Sequence, residues 1–393
     1  VRVLLVADLY PPSPGGLERH VARLAAGLRR AGHAVEVVTA GTSTGTTQVE
    51  GTTVHTARVA LRRVPGVQRG AGRPLPPPWA DRGLRRAVAA ATSGFGPDVV
   101  HAHGWSEFAA VRSSAGRVPV VVTLHDYGLL CPMKSLLRAG RSCDRTAGPG
   151  CLRCPGSDQS AAKRVALAVA IAAQTRAGTG ADRYLAVSSA VLARHAGTIP
   201  MARADVVPNF IDDWIGPPPT PPTPGRLLYV GQDGPHKGFA HALAVTRALR
   251  ADGRDVTLDA VGVTGAGPGE AGVRYWGRLE GDDLRRRFHA ASVTLVPGLW
   301  EDPCPTVAIE SISAGVPVVG YAHGGLTDIV ESGRSGVLVA PGSEAALLGA
   351  AAALLADPAR LAAFRTGARR RAGRFLTATV LPQIVERYRQ VGA

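Results

Sequence analysis

The sequence predicts an α/β protein of two Rossmann-like domains, with parallel sheets facing a central cleft. Three observations carry this. At 393 residues and 45% apolar content, the chain exceeds one ordinary core. A buried strand, a glycine-bearing loop, a helix and a second strand occur at the start and begin again at Leu227. A proline-rich stretch over 216–225 separates the two runs as a semi-rigid spacer. The expected division is a first domain over 1–215, the linker, a second domain over 226–375, and a helix over 376–393 packing back on the first domain.

Residues 1–7 are rich in Val and Leu with little alternation, as a strand buried on both faces requires. Pro11, Pro12 and Pro14 break it. Gly15-Gly16 lets the backbone approach a ligand where the next helix opens. Val21, Leu24, Ala25 and Leu28 give that helix its apolar stripe. Gly32-His33 ends it, and Val35 to Thr39 is the second strand. Residues 41–92 hold a polar Thr/Gly segment and a basic, Pro-rich loop. Its Arg62, Arg63, Arg69, Arg73, Arg82, Arg85 and Arg86 form either an anion-facing rim or a solvated surface. Pro97 to His103 is a strand ending in His101-Ala102-His103, whose alternation is expected to send the two imidazoles to opposite sides. Val118 to Leu124 is the next strand. It ends in His125-Asp126, an adjacent imidazole and carboxylate that can tune a proton donor or cap the loop.

Ala161 to Ala177 is an Ala-rich helix. A strand over Ala181 to Val187 runs into a helix that Ser188 or Ser189 would cap. Asp205 to Asp212 closes the first domain. Beyond the linker, Leu227 to Val230 is buried. Gly231-Gln232-Asp233-Gly234-Pro235-His236-Lys237-Gly238 then offers backbone donors and one point charge at a helix start, which suits a diphosphate or is a plain turn. Val256 to Val261 is a strand, Tyr275 to Leu279 follows a short one, and Asp282-Asp283 opens a helix. The strand Val293 to Pro297 leads through Leu299-Trp300-Glu301-Asp302-Pro303-Cys304-Pro305-Thr306 into a helix. Asp302 and Glu310 bracket the loop and the opening of that helix. Helix-start amides suit an anion, and a carboxylate accepts from vicinal hydroxyls. This is chemistry for holding a sugar and a ribose at the end of a parallel sheet. Tyr321 to Asp328 is a glycine turn aimed at the same place.

The 45 basic and 30 acidic residues leave a net charge of +15, and residues 1–216 hold 26 of the basic and 14 of the acidic ones. A basic first half points to an anionic partner, a phosphorylated acceptor or an acidic membrane surface, or serves solubility alone. No aromatic-and-basic motif speaks for nucleic acid. The absence of G-x-G-x-x-G and Walker A motifs disfavours a nicotinamide dehydrogenase and a P-loop NTPase. Val1 to Ala7 reads as a core strand rather than an export signal, and Val165 to Ala173 is too short to span a bilayer. A cytoplasmic location, peripheral at most on the inner membrane face, is the expectation.

Cys131, Cys143, Cys151 and Cys154 form a C-x11-C-x7-C-x2-C series inside an insert at about 131–156. Cytosolic chains rarely keep disulfides, and four thiolates in a coreless loop suggest structural zinc. An iron–sulfur cluster, a disulfide pair and reduced thiols remain alternatives. Cys304 stands apart as a small packing residue.

Taken together, the segments resemble the family-4 retaining glycosyltransferases of the GT-B fold, including a subset that carries a cysteine insert. The likeness rests on Gly15-Gly16-Leu17-Glu18-Arg19-His20-Val21, His101-Ala102-His103, Val207 to Asp212, the Gly231 to Gly238 loop, Asp302 with Glu310, and Gly324-Gly325 with Asp328-Ile329-Val330. The resemblance implies that amides near Gly15 and Gly16 meet the donor phosphate or the acceptor, and that His103 contacts the donor sugar. Lys237, beside Gly231 and Gln232, would neutralise the diphosphate, and Glu310 would hold the ribose. Cys304, Pro305 and Thr306 would face the sugar, and Arg278 and Leu279 would lie near the base. Glu18, His125 and Asp126 are assigned to the acceptor side.

Two departures stand out. Asp302 takes the place of a usual Glu, with Glu301 one position early, and Gln232 replaces a usual Arg, weakening the diphosphate clamp. The implied reaction moves a hexose-type sugar, with retention, from a UDP-, GDP- or dTDP-type donor to a lipid-linked, polysaccharide or natural-product acceptor. No catalytic metal is expected. The alternatives are a nucleotide-sugar epimerase on the same fold and an inactive nucleotide-sugar-binding protein.

Overall fold

The computed structural model describes residues 1–13, 15–59, 75–154, 160–176, 180–213, 216, 222–232, 234–263 and 270–392. Two units divide the chain. One comprises Val1–Ala139, Cys143–Asn209 and Val380–Ala393; the other comprises Gly140–Ser142 and Phe210–Thr379. The change of unit at Asn209–Phe210 precedes the proline-rich stretch. Residues 217–221 of that stretch lie outside the described residues, as do Arg62, Arg63, Arg69 and Arg73.

In chain order the first part carries β1 (Arg2–Ala7), α1 (Gly16–Arg30), β2 (Ala34–Gly41), β3 (Gly45–Val49), β4 (Thr52–Arg58), α2 (Arg82–Phe95), β5 (Val99–His103), α3 (Glu107–Ser114) and β6 (Val120–Leu124). Then come β7 (Leu137–Arg138), β8 (Arg141–Ser142), α4 (Ala161–Arg176), β9 (Arg183–Ala186), α5 (Ser189–His195) and β10 (Ala204–Val206). The sheet order is β10-β9-β6-β5-β1-β2-β4-β3, parallel throughout except for the antiparallel β3–β4 hairpin at one edge. The central strands β1, β5 and β6 are buried on both faces, which explains the Val/Leu runs of β1 and β6. Val21, Leu24, Ala25 and Leu28 of α1 are buried as its spacing requires. Two elements depart from expectation. The Thr/Gly segment folds as the β3–β4 hairpin, and α2 begins inside the expected loop because the Asp81 carboxylate accepts from the Gly83 and Leu84 amides. Ser188, not Ser189, caps α5.

The second unit restarts with β11 (Arg226–Val230), α6 (Phe239–Ala251), β12 (Thr257–Val261), β13 (Val273–Gly277), α7 (Gly281–Ala290), β14 (Val293–Val296), α8 (Thr306–Ser313), β15 (Val318–Tyr321), α9 (Leu326–Ile329), β16 (Gly336–Val339), α10 (Glu344–Ala356) and α11 (Pro358–Ala372). Its six strands run parallel in the order β13-β12-β11-β14-β15-β16. The chain enters and leaves this unit side by side. Ile211 N–H donates to Phe375 O at 3.0 Å, and Thr377 N–H to Ile211 O at 2.9 Å. From there α12 (Thr377–Gln390) runs on, and from Val380 it belongs to the first unit. Among the described residues no single helix is long and apolar enough to cross a membrane.

Candidate functional site

In a parallel sheet, the loops past the carboxyl ends of the strands are free to bind ligands while the strands fix their roots. In the second unit three such loops meet. The first, from β11 to α6, carries Lys237. The second, from β14 to α8, carries Trp300, Asp302, Cys304 and Pro305, and ends at Thr306, the first residue of α8. The third, after β15, carries His323, Gly324 and Gly325. Leu299 N–H donates to His236 O at 2.7 Å, and Gly325 N–H donates to Asp302 O at 2.8 Å. These bonds tie the second loop to both others.

The Lys237 ammonium sits 2.9 Å from Asp302 Oδ2 and 4.8 Å from the centre of the Trp300 ring. The Trp300 indole N–H is buried without a hydrogen-bond partner among the described residues. His236 packs edge-on against the same ring. Glu310, one turn into α8, is buried. Gln232 is exposed, and the Arg278 guanidinium pairs with the equally exposed Glu280 at 2.5 Å. Leu279 is half-buried. Trp300 is the residue here to which the sequence reading gave no role. Its signal was its place between Leu299 and the acids in an otherwise aromatic-poor chain.

Gly238 shows why the first loop has its shape. Its φ is +74°, and a Cβ there would collide with the Pro297 carbonyl oxygen. Gly238→Ala is expected to destabilise the second unit by about 3 kcal/mol, from left-handed strain plus the clash. That lowers its melting temperature by about 6–10 °C. Gly349→Ala, in open space on α10, is the control and should leave the melting temperature level or slightly raised.

In the first unit the carboxyl edge of β1, β5 and β6 collects imidazoles. His103 Nδ1 and His125 Nε2 share a hydrogen bond of 2.9 Å, and His20 packs edge-on against His125 at 4.6 Å. Donor nitrogens of His20, His103 and His125 lie within 4.8 Å of one another, the one group of that kind among the described residues. His103 is fully buried, and its Nε2 has no hydrogen-bond partner there. His101 points to the same side as His103, not the opposite one. Their rings lie 4.2 Å apart, because residues two apart on a strand share a face. His101 is held by Tyr388 Oη and Thr123 Oγ1, each at 2.7 Å.

Burial drives the imidazole pKa values down, with added repulsion from neighbouring cations and rings. His20 and His101 fall to about 3, and His103 and His125 well below the usual value. The cluster is therefore neutral at pH 7. Beside it, Asp8 Oδ2 and Asp126 Oδ2 lie 3.0 and 3.6 Å from the Lys134 ammonium. Burial opposes the Lys134 charge, but the two carboxylates together raise its pKa above the usual lysine value. Glu107, also buried, is pushed up to about 8 by desolvation and by repulsion from Asp8 and Asp126. Gly15 and Gly16 open α1, and the buried Glu18 carboxylate occupies the space a Cβ at Gly15 would need. The structure thus gathers Gly15, Gly16, Glu18, His103, His125 and Asp126 around one sheet edge. It adds Asp8, Glu107, Lys134 and Tyr388, which no local pattern marked.

Of the four insert cysteines, all are half-buried and unpaired by disulfide. No three of their sulfurs lie within 4.8 Å of one another. Burial raises the pKa values of Cys131 and Cys154, and the Cys151 thiol raises both further by repulsion.

The sequence pattern described as Glycosyltransferase Family 4 matches residues 14–214, and that described as Glycosyl transferases group 1 matches residues 210–371. Glycogen synthase of Mycobacterium tuberculosis is 28% identical over 391 residues, covering 91% of this chain and 87% of that protein. The structure of sucrose-phosphate synthase from Thermosynechococcus elongatus superposes with a TM-score of 0.72 at 20% identity, covering 99% of this chain and 98% of that one. Anabaena HepE in complex with UDP-glucose gives 0.68 at 18% identity, covering 99% of each chain. The structural likeness identifies the two parallel α/β units as the GT-B fold. With the first pattern spanning half the chain and the second most of the rest, the chain belongs to glycosyltransferase family 4, enzymes that transfer sugar from a nucleotide-sugar donor.

Proposed function

We propose that this enzyme transfers a glucose-type hexosyl unit, with retention, from a UDP-type donor to a hydroxyl acceptor. The observation that carries the reading is Lys237, poised at a helix start beside the unpartnered Trp300 indole N–H. Both would meet the diphosphate as negative charge grows on its leaving oxygen, with Gly-rich loop amides completing the donor set. The bond from the anomeric carbon to the leaving phosphate oxygen breaks as the acceptor oxygen bonds on the same face. The leaving phosphate takes the acceptor proton. Asp302 would hold Lys237 in place, and Glu310 would accept from the ribose hydroxyls. His103 Nε2, buried and unpartnered, suits a hydroxyl of the donor sugar. Glu18, His125 and Asp126 would line the acceptor side. The donor class draws on the UDP-glucose bound to HepE, and the acceptor on the basic first half, which favours a phosphorylated or lipid-linked molecule. A thermal-shift panel of UDP-, GDP- and dTDP-sugars, followed by anomeric analysis of the product, tests this. Stabilisation by GDP- or dTDP-sugars but not UDP-sugars would overturn the donor, and an inverted product the stereochemistry.

We also propose a structural zinc ion at Cys131, Cys143, Cys151 and Cys154. No three of the four sulfurs lie within 4.8 Å of one another here, so zinc would have to draw the insert together as it binds. Burial first, and repulsion between the sulfurs second, raise the Cys131 and Cys154 pKa values, so zinc would displace their protons on binding. Purified protein should contain one zinc per chain. A chelator strong enough to remove it should lower the melting temperature of the first unit by several degrees, as should Cys151→Ser. Four thiols that titrate freely in metal-free protein of unchanged stability would count against it, as would iron with sulfide.

A further inference from the structure

Where α2 begins and α3 ends, the first unit carries a pocket of about 470 Å³ lined by Arg82, Arg85, Arg86, Arg112, Arg117 and Ser113, among others. No acidic residue lines it. Some other arginines of the chain find carboxylates, as Arg183 does with Asp205 and Arg226 with Asp259. Among the described residues these five form no such pair. The reason lies in the sequence: α2 contains no acid, and the single acid of α3, Glu107, is buried at the helix's other end. Asp81, the nearest acid in sequence to α2, is buried and occupied with the amides of Gly83 and Leu84.

The backbone beneath the arginines is tied down. Ser113 Oγ donates to Arg85 O at 3.2 Å, joining the end of α3 to the start of α2. Gly116, with φ +69°, reverses the chain so that Arg117 returns to the same hollow, its N–H bonded to Ser114 O at 2.9 Å. Five arginines from two helices and a turn therefore line one concave surface with no counter-charge among the described residues. Like charges so placed repel, and a polyanion relieves them. The planar guanidinium fork matches the oxygens of phosphate two at a time, which a scattered solvated surface does not need.

We propose that this pocket binds a phosphate-bearing anion, at a site separate from the residues assigned to the donor. The inference rests on charge and shape in the first unit and stands independently of the roles given to Lys237 and Glu310. The same phosphate chemistry has two sources, a free phosphorylated molecule and an anionic lipid headgroup.

Calorimetry of the full chain with pyrophosphate and with a hexose 6-phosphate covers the first source. Co-sedimentation with phosphatidylcholine vesicles, with and without phosphatidylglycerol, covers the second. Saturable binding in one arm is expected, weakening as salt screens the charge. The double variant Arg85→Gln/Arg112→Gln, one change on each helix, should weaken that binding at least tenfold, and Arg85→Lys/Arg112→Lys should fall between. Arg370→Gln, an exposed arginine of α11 outside the pocket, should bind these probes as the unaltered chain does, and the double variant should keep its thermal response to UDP-glucose. Binding of a soluble probe identifies a free phosphorylated ligand; binding only to phosphatidylglycerol vesicles identifies a headgroup. No saturable binding in either arm, or equal binding by the glutamine variant, overturns the site.

Discussion

Lys237→Ala should lower kcat/KM for sugar transfer by about 10²–10³-fold while leaving the melting temperature within a degree or two of the original. Removing one donor from a developing oxyanion costs about 2.7–4 kcal/mol of transition-state stabilisation. Here the loss is compounded, because the lysine's partner remains. Asp302, 2.9 Å from Nζ, would then face the donor diphosphate as an uncompensated negative charge. Asp302→Asn, by contrast, keeps the cation and relaxes only its position, so a smaller fall of about tenfold is expected. Lys237→Arg should restore part of the activity, since it returns the charge on a bulkier head. Initial rates with a labelled donor measure all three. Unchanged turnover in Lys237→Ala would remove the diphosphate from this loop.

Acidification should unfold the first unit well above the range where carboxylates titrate. His20, His101 and His103 are buried and neutral, with folded pKa values of about 3 for the first two and well below normal for the third. In the unfolded chain each titrates near 6.5. Above that pH both states are neutral, and the stability they permit is fully present. Below it the unfolded chain takes up protons that the folded one refuses, so stability falls as pH falls, down to about 3. Each imidazole costs about 1.4 kcal/mol per pH unit in that window. Three of them cost about 6 kcal/mol between pH 6.5 and pH 5, of which Glu107, protonated in the folded chain up to about pH 8 and ionised in the unfolded one, returns about 2, leaving a loss close to the stability of a marginal domain. Denaturant midpoints followed by circular dichroism from pH 8 to pH 4.5 read this directly. The expected slope corresponds to a net uptake of about two protons on unfolding, three by the imidazoles less one released by Glu107, and a flat profile down to pH 5 would refute it.

The buried strands were legible because a parallel sheet covered on both faces leaves Val/Leu runs such as Val3 to Val6 and Val120 to Val122. The glycine loops were legible because their backbone angles, as at Gly238, admit little else. The β3–β4 hairpin was not, since its Thr-rich outer strand is exposed and has no apolar alternation to follow. The site splits the same way. Lys237, Asp302 and Glu310 sit at loop positions where local pattern and chemistry agree. Lys134 and Asp8 meet across 126 residues, and Tyr388 reaches His101 from 287 residues away. Such pairings are set by which strands neighbour each other, and no window of sequence contains them. The facing of His101 and His103 was readable from strand geometry alone.

The bond from Tyr388 to His101 also bears on how the protein is made. The first unit holds residues from both ends of the chain, so its imidazole cluster lacks its last support until α12 has left the ribosome. Synthesis at about 5–20 residues per second places the roughly 290 intervening residues some 15–60 seconds behind His101. Through that interval the nascent chain presents an unfinished apolar face. Until α12 docks, that face would depend on chaperones for cover.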